Sequence, residues 1–297
     1  MQFKPIEIHD KPLLDKMFQR RQYENSWFNF TNLFIWRNTY EPEWAMSGET
    51  LFVFLTHDDA TYALPPFVAD DSDFSRAVDA IEAELIARGL PFLITGCSET
   101  MKQMLEAARP DSLDFKPMPD RFDYLYNAAD LRDLAGRKYH AKRNYVNRFQ
   151  NENPGWQYAE LDESLMARCR DSAIEWCNRR DCQLYLELTR EHEAIIEAFD
   201  HFSSLGLVGG AILIGDTVQA FSFGEMLNDD TALIHIEKAN AEIAGLYQMI
   251  NREFCQHAWQ NAAYINREED LGNEGLRKAK ESYYPVRLIE KYEIRRR

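Results

Sequence analysis

The sequence predicts a mixed α and β protein built from two copies of one αβ unit, and three observations carry that prediction. Short β-rich runs alternate with amphipathic helical stretches along all 297 residues. The order hairpin, helix, strand, helix, strand occurs twice. Between the two passages lies one basic stretch, 131–151, that belongs to neither. The length suits two domains, and 45% hydrophobic residues with only 13 Gly and 11 Pro supply a core and exclude a disordered or linker-rich chain.

In the first half, the runs 49–56 and 61–67 are rich in β-branched and aromatic residues and flank His57-Asp58-Asp59-Ala60, a hairpin signature. Asp70, Asp71 and Ser72 provide N-cap chemistry for a helix that runs to Arg88 and is stopped by Gly89 and Pro91. A short apolar strand follows at 91–95. Ser98 caps a second helix to Ala108, and 121–126 forms another strand.

The second half repeats the order after helical segments near 163–180 and 190–204. Runs 206–214 and 218–226 flank Gly215-Asp216-Thr217, where glycine suits a tight hairpin turn. A third strand covers Thr231–Ala239, and a helix over 243–259 places Leu246, Ile250 and Phe254 on one face. A strand at 262–266, a short helix at 274–283 and a last strand at 286–294 complete the unit. The expected organisation is a domain over 1–130, a basic helical connector over 131–151 and a domain over 152–297.

Charge narrows the function classes. The chain holds 34 basic and 49 acidic residues, a net of −15, which argues against general nucleic-acid coating and against DNA as a partner. The connector is the exception: Arg132, Arg137, Lys138, Lys142, Arg143 and Arg148 oppose only Asp133, a local net of +5. No apolar run approaches the roughly 18 residues of a membrane span, and residues 1–7 carry no signal-peptide core. Five cysteines without metal-type spacing suit a reducing cytoplasm, with Cys169, Cys177 and Cys182 reading as packed, helix-associated thiols. The histidines likewise show no metal-site spacing.

Three constellations carry candidate chemistry. Alternation along Thr231–Ala239 places Leu233, His235 and Glu237 on one face and Ile234, Ile236 and Lys238 on the other. Buried charge is costly unless paired or used, so Glu237 or His235 reads as a general base, or Glu237 as an ion-pair member with a residue such as Lys280, or the strand as an edge strand with one wet face. In the turn 240–246, free backbone N–H groups beside Ala244 and Gly245 suit an anion, although a plain strand-to-helix turn has the same sequence. In 267–285, Arg277 and Lys280 share a helix face with Tyr283 a step beyond, a set suited to binding phosphate or carboxylate and delivering a proton. The alternative there is a polar helix balanced by its own acidic start.

Gly136-Arg137-Lys138-Tyr139-His140-Ala141-Lys142-Arg143-Asn144-Tyr145-Val146-Asn147-Arg148-Phe149, His235-Ile236-Glu237-Lys238-Ala239-Asn240 and residues 267–285 resemble the DUF2156 family. That family is related to the C-terminal domain of lysyl-phosphatidylglycerol synthases, and the resemblance spans nearly the whole chain. It implies a tandem duplication of GNAT-like acyl-CoA N-acyltransferase domains, similar to the Fem peptidyltransferases. In GNAT-like enzymes a base precedes the pyrophosphate turn and a tyrosine protonates the leaving group. The resemblance thus implies Glu237 or His235 as base, the turn Glu242–Leu246 for the donor's phosphates and Tyr283 as acid; with the helix-face reading, the expected donor or phosphate contacts are Lys238, Asn240, Ala244, Gly245, Arg277 and Lys280.

The turn departs from the acetyltransferase pattern, lacking the basic or Gln residue and second glycine that cradle coenzyme A. That leaves room for aminoacyl-tRNA as the donor. The expectation is a transferase moving an acyl or aminoacyl group from acyl-CoA or charged tRNA to an amine or hydroxyl, in the manner of phosphatidylglycerol lysyltransferase. A lipid acceptor would require peripheral docking, and no tightly bound cofactor is expected. The alternative is a catalytically silent binding or scaffold protein of the same fold. Arg137, Lys138, Lys142 and Arg143 wind around one helix and form the expected contact for tRNA, or else a solvated face.

Overall fold

The computed structural model describes residues 1–179 and 185–297. Seven strands are β1 (Lys4–Pro5), β2 (Glu43–Ser47), β3 (Thr50–His57), β4 (Ala60–Ala63), β5 (Leu93–Cys97), β6 (Leu113–Pro117) and β7 (Asp123–Asn127). Seven more are β8 (Trp156–Glu160), β9 (Val208–Ile214), β10 (Thr217–Met226), β11 (Thr231–Ala239), β12 (Tyr264–Asn266), β13 (Arg287–Ile289) and β14 (Tyr292–Arg296). They form two sheets, ordered β1-β2-β3-β4-β5-β14-β6 and β8-β9-β10-β11-β12-β7-β13. Written this way the two orders coincide position by position. In each, the fourth and fifth strands are parallel and the pairs before them antiparallel. The repeated pattern in the sequence is a repeated topology.

The chain divides into two compact units: 1–123 with 269–274 and 288–297, and 124–268 with 275–287. These differ from the expected divisions at 130 and 152, because the sixth strand of each sheet comes from the other half of the chain. The predicted single strand over 286–294 is accordingly two, β13 and β14, in different sheets. Lys291 stands between them, fully buried. Its ammonium donates to Asp123 at 2.6 Å, Glu269 at 2.9 Å and Ser26 Oγ at 3.2 Å. Such a buried charge is tolerable only with this full set of partners.

Local chemistry accounts for the elements that were legible. Asp58 and Asp59 both have positive φ, 48° and 64°, the requirement of the two-residue turn that joins twisted strands. β4 stops at Ala63, short of the expected 67, because Pro65 and Pro66 follow and offer no N–H. Ser98 caps its helix as expected, accepting from Met101 N at 3.3 Å. β1, β2, β6 and β8 escape the sequence reading. β1, β6 and β8 are short sheet-edge strands with exposed polar positions, so hydrophobic alternation hardly marks them.

In the first unit, Phe67 meets the rings of Phe18, Tyr23 and Phe28 edge-on at 4.8, 5.8 and 5.0 Å. In the second, helix Leu246–Ala258 buries Leu246, Met249, Ile250 and Phe254 with Tyr126, Ile212, Ile234 and Ile265 of the sheet. The connector is helical, over Ala128–Asp133 and His140–Glu152, and lies in this unit. Cys169 is buried and Cys177 half-buried, while Cys182 lies outside the described residues. Among the described residues no helix is long and apolar enough to cross a membrane.

Candidate active site

The site of the second unit is built on a fork. β11 and β12 pair in parallel through Thr231↔Tyr264, Ala232↔Ile265 and Leu233↔Asn266, and there the ladder ends. β11 runs on to Ala239, while the chain after Asn266 turns away, with Glu268 at φ 56°. Side chains span the opening instead of backbone bonds.

A bulge decides which side chains do so. Phe223 pairs with Ile236 and Gly224 with Ile234, so His235 is one residue too many on β11. The expected alternation fails at that point. Ala232, Ile234 and Ala239 belong to the core under helix Leu246–Ala258, and Glu237 reaches Asn251 of the same helix. Lys238 points elsewhere, to Glu191 of helix Leu186–Asp200 at 2.5 Å, and its cross-strand partner Phe221 stacks on Trp176. His235 reaches Glu225, whose cross-strand partner is Leu233. The predicted pairing of His235 with Glu237 on one face is therefore incorrect. The backbone tightness that allows the bulge is visible at Gly224, where a Cβ would lie 2.1 Å from the Leu233 carbonyl oxygen.

His235 has both ring nitrogens engaged, with Glu225 at 3.1 Å and Glu268 at 3.2 Å. Burial pushes its pKa down, but the two carboxylates outweigh that and raise it to about 9. An imidazolium clamped in this way has no lone pair to offer near neutral pH, which removes it as a base.

Glu237 sits in the fork with one oxygen accepting from Arg267 Nη2 and the other from Asn251 Nδ2, both at 3.0 Å. Its ionic partner is Arg267 and not Lys280. The carboxylate fixes the amide orientation of Asn251, leaving Asn251 Oδ1 buried without a partner, and Arg267 Nη1 is likewise buried and unpartnered. Arg267 lies 5.1 Å from the ring centroid of Tyr283 and 5.8 Å from that of Tyr126. Lys142 covers the Tyr283 ring at 3.9 Å and donates to Ser282 Oγ at 2.6 Å. Tyr283 is held from behind by Tyr139, whose hydroxyl donates to the Tyr283 carbonyl at 2.9 Å. Burial keeps the Tyr283 phenol far above the usual range, hence protonated.

Other expected contacts have structural duties. Lys280 is buried and donates to the carbonyls of Arg267 at 2.5 Å and Glu268 at 3.0 Å, so it shapes the fork and does not join Arg277 at an anion. Arg277 is half-buried on the same helix. Asn240 accepts from Glu242 N at 3.1 Å and donates to Gln219 at 3.1 Å. Gly245 has φ 82°, and a Cβ there would lie 2.2 Å from the Tyr145 carbonyl oxygen, so close helix approach requires its glycine. Ala244, beside it, is half-buried. Past the end of β11 the turn borders a cavity of about 190 Å³ lined by Trp176, Glu191, His192, Asn240, Glu242 and Tyr247 among others.

The connector's cations do not form one stripe. Lys138 pairs with Asp130 at 3.0 Å. Arg143 donates to the carbonyls of Leu134 and of Gly136, the latter at 2.7 Å, while Lys142 turns into the Tyr283 cluster. Arg137 remains exposed.

A family model described as phosphatidylglycerol lysyltransferase, C-terminal, matches residues 18–295. The chain belongs to this family. A conserved protein of unknown function from Bacteroides thetaiotaomicron is 33% identical over 100% of both chains, with a TM-score of 0.94. The L-PGS of Bacillus licheniformis is 15% identical over 97% of this chain and 92% of its own, with a TM-score of 0.67. A tandem GNAT protein from the clavulanic acid biosynthesis pathway is 10% identical over 98% and 97%, with a TM-score of 0.50. A search of the curated proteins gives no match. The expected tandem GNAT-like fold of the family is thus the fold of this chain. Within it, sequence reasoning missed Arg267 and Asn251 as site residues. Asn251 was detectable as a polar residue within the buried stripe of helix Leu246–Ala258.

Proposed function

We propose that this chain transfers an aminoacyl or acyl group from an activated donor to an amine or hydroxyl, with the chemistry in the fork of the second unit. The observation that carries the reading is the parting of β11 from β12 with Glu237 and Arg267 across the opening and Tyr283 and Lys142 beside them. Arg267 Nη1 offers a buried, unused N–H donor for the oxygen that becomes anionic at the tetrahedral stage. Glu237 orients that guanidinium, and the protonated Tyr283 phenol supplies a second donor for the departing or developing oxygen. Of the two donors, an aminoacyl-tRNA suits the turn better than a coenzyme A thioester. A pyrophosphate there would meet the Glu242 carboxylate, and one turn amide is already spent on Asn240. That donor implies a cytoplasmic setting, and the family's name points to a lipid headgroup hydroxyl as acceptor, reached by peripheral docking.

The test is transfer of a radiolabelled amino acid from charged tRNA, or of acetyl from acetyl-CoA, to phosphatidylglycerol vesicles and to small amines. Label moving from aminoacyl-tRNA to an acceptor supports the reading. Donor binding without transfer to any acceptor would favour the silent binding protein, and absence of both would refute the site.

A further inference from the structure

We propose that Lys142 is the group that moves the proton in this reaction, a role that rests on the transferase reading above. The geometry singles it out. It is half-buried, its hydrogen bond goes to a hydroxyl, and among the described residues it forms no ion pair. Ser282 has already given its own hydrogen to the Ala279 carbonyl at 2.5 Å, so its oxygen accepts from Lys142 and the amine needs no positive charge to make that bond. The groups around the amine are Ser282 and Tyr283 from the stretch after helix Glu274–Glu281, Arg267 from beyond β12 and Glu237 from β11. Among the described residues the carboxylate that acts on it is Glu237, which is committed to Arg267 and Asn251.

Burial lowers the Lys142 pKa to about 8, Arg267 adding in the same direction and Glu237 opposing. At pH 7.5 about a quarter of such amines are neutral, against roughly one in a thousand for an ordinary lysine. Tyr283, the proton donor expected from the sequence, is held too firmly protonated to cycle, since an acid-base group works best with a pKa near the working pH. In the proposed step the acceptor's O–H or N–H proton passes to the neutral Nζ as the acceptor atom bonds to the acyl carbon. When the tetrahedral intermediate collapses and the bond to the donor's leaving oxygen breaks, the ammonium returns that proton to the leaving oxygen. No net proton is taken up.

Single-turnover transfer from aminoacyl-tRNA is measured across pH 6–10 for the wild type, Lys142→Arg and Lys142→Ala, with donor affinity and melting temperature measured on each. Lys142→Arg keeps the positive charge but cannot become neutral. The expected result is a loss of about 100-fold or more, with donor affinity retained and the wild-type acid limb near pH 8 abolished. Small tertiary amines, which can carry a proton but cannot act as acceptors, should partly restore Lys142→Ala. Transfer by Lys142→Arg within a few-fold of wild type, with the same acid limb, overturns the assignment and leaves the transferase reading standing. The pH dependence of Lys142 acetylation by acetic anhydride, read by peptide mass spectrometry, needs no turnover. A midpoint above pH 10 also overturns the assignment. A midpoint near pH 8 in a protein that transfers from neither donor defeats the transferase reading and the proton role with it.

Discussion

Two charged groups on β11, two residues apart, answer to different ion-pair partners. His235 is a structural cation, and its linkage to pH has a definite sign. Its pKa, about 9 in the fold against 6.5 when unperturbed, means that its stabilisation is fully present below about pH 6.5 and is lost as pH rises through 9. The shift corresponds to a contribution on the order of 3 kcal/mol. Urea unfolding of the wild type should therefore lose stability between pH 6.5 and 9, and a His235→Gln variant should show a flatter profile over that window. Glu237, by contrast, answers to Arg267. Glu237→Gln leaves a largely buried guanidinium without its counter-charge, and breaking a buried pair costs about 3–5 kcal/mol, somewhat less where a little solvent reaches it. A clear fall in melting temperature is expected along with loss of transfer. A variant that keeps its stability while losing transfer would show that Glu237 works as a base and does not mainly anchor Arg267.

Among the elements, the bulged pair β10–β11 and the connector helix set what the site contains. The bulge turns Glu237 to the face of Asn251 and leaves Lys238 to Glu191, and it depends on a backbone approach at Gly224 that a side chain would obstruct. Gly224→Ala forces a methyl against the Leu233 carbonyl, so a loss of at least 1–3 kcal/mol typical of overpacking is expected, checked by denaturant unfolding. In the connector, Arg137 and Lys138 are exposed, and on the proposed aminoacyl-tRNA reading they are the cations to test. Changing both to Ala should weaken tRNA binding and flatten its salt slope at unchanged melting temperature, as each phosphate contact contributes to that slope. Arg143→Ala should instead lower the melting temperature, because Arg143 serves the carbonyls of Leu134, itself at φ 48°, and Gly136.

At the scale of the whole molecule, the crossed sixth strands make the two halves of the chain interdependent. The first unit's sheet needs β14 between β5 and β6, and with it Lys291 among Asp123, Glu269 and Ser26. Removing 288–297 takes away a central strand and, with it, the ammonium that Asp123 and Glu269 accept from. A chain ending at residue 287 is expected to lose the first unit's cooperative unfolding transition, not merely to fray at its end. Likewise a fragment of 1–130 should not fold alone, whereas the same fragment extended by a tethered 288–297 segment should regain strand signal in circular dichroism.

What the sequence determined by itself was whatever neighbours along the chain decide. The Asp58-Asp59 and Gly215 turns, the Ser98 cap, the amphipathic stripe of Leu246, Ile250 and Phe254 and the repeated order of elements are all local, and so is the family resemblance carried by 136–149 and 267–285. What the tertiary structure decided was every pairing between distant residues. Strand exchange was hidden because 286–294 reads as one β-rich run, and only the buried Lys291 interrupting it marks the break. The face of Glu237 was misread because a bulge adds one residue to a period of two and reverses all that follows. Lys142 looked like one more solvent cation of a basic helix until the fold placed it on Tyr283 beside Arg267, where burial and like charge, neither of them written in its neighbours, change what an amine can do.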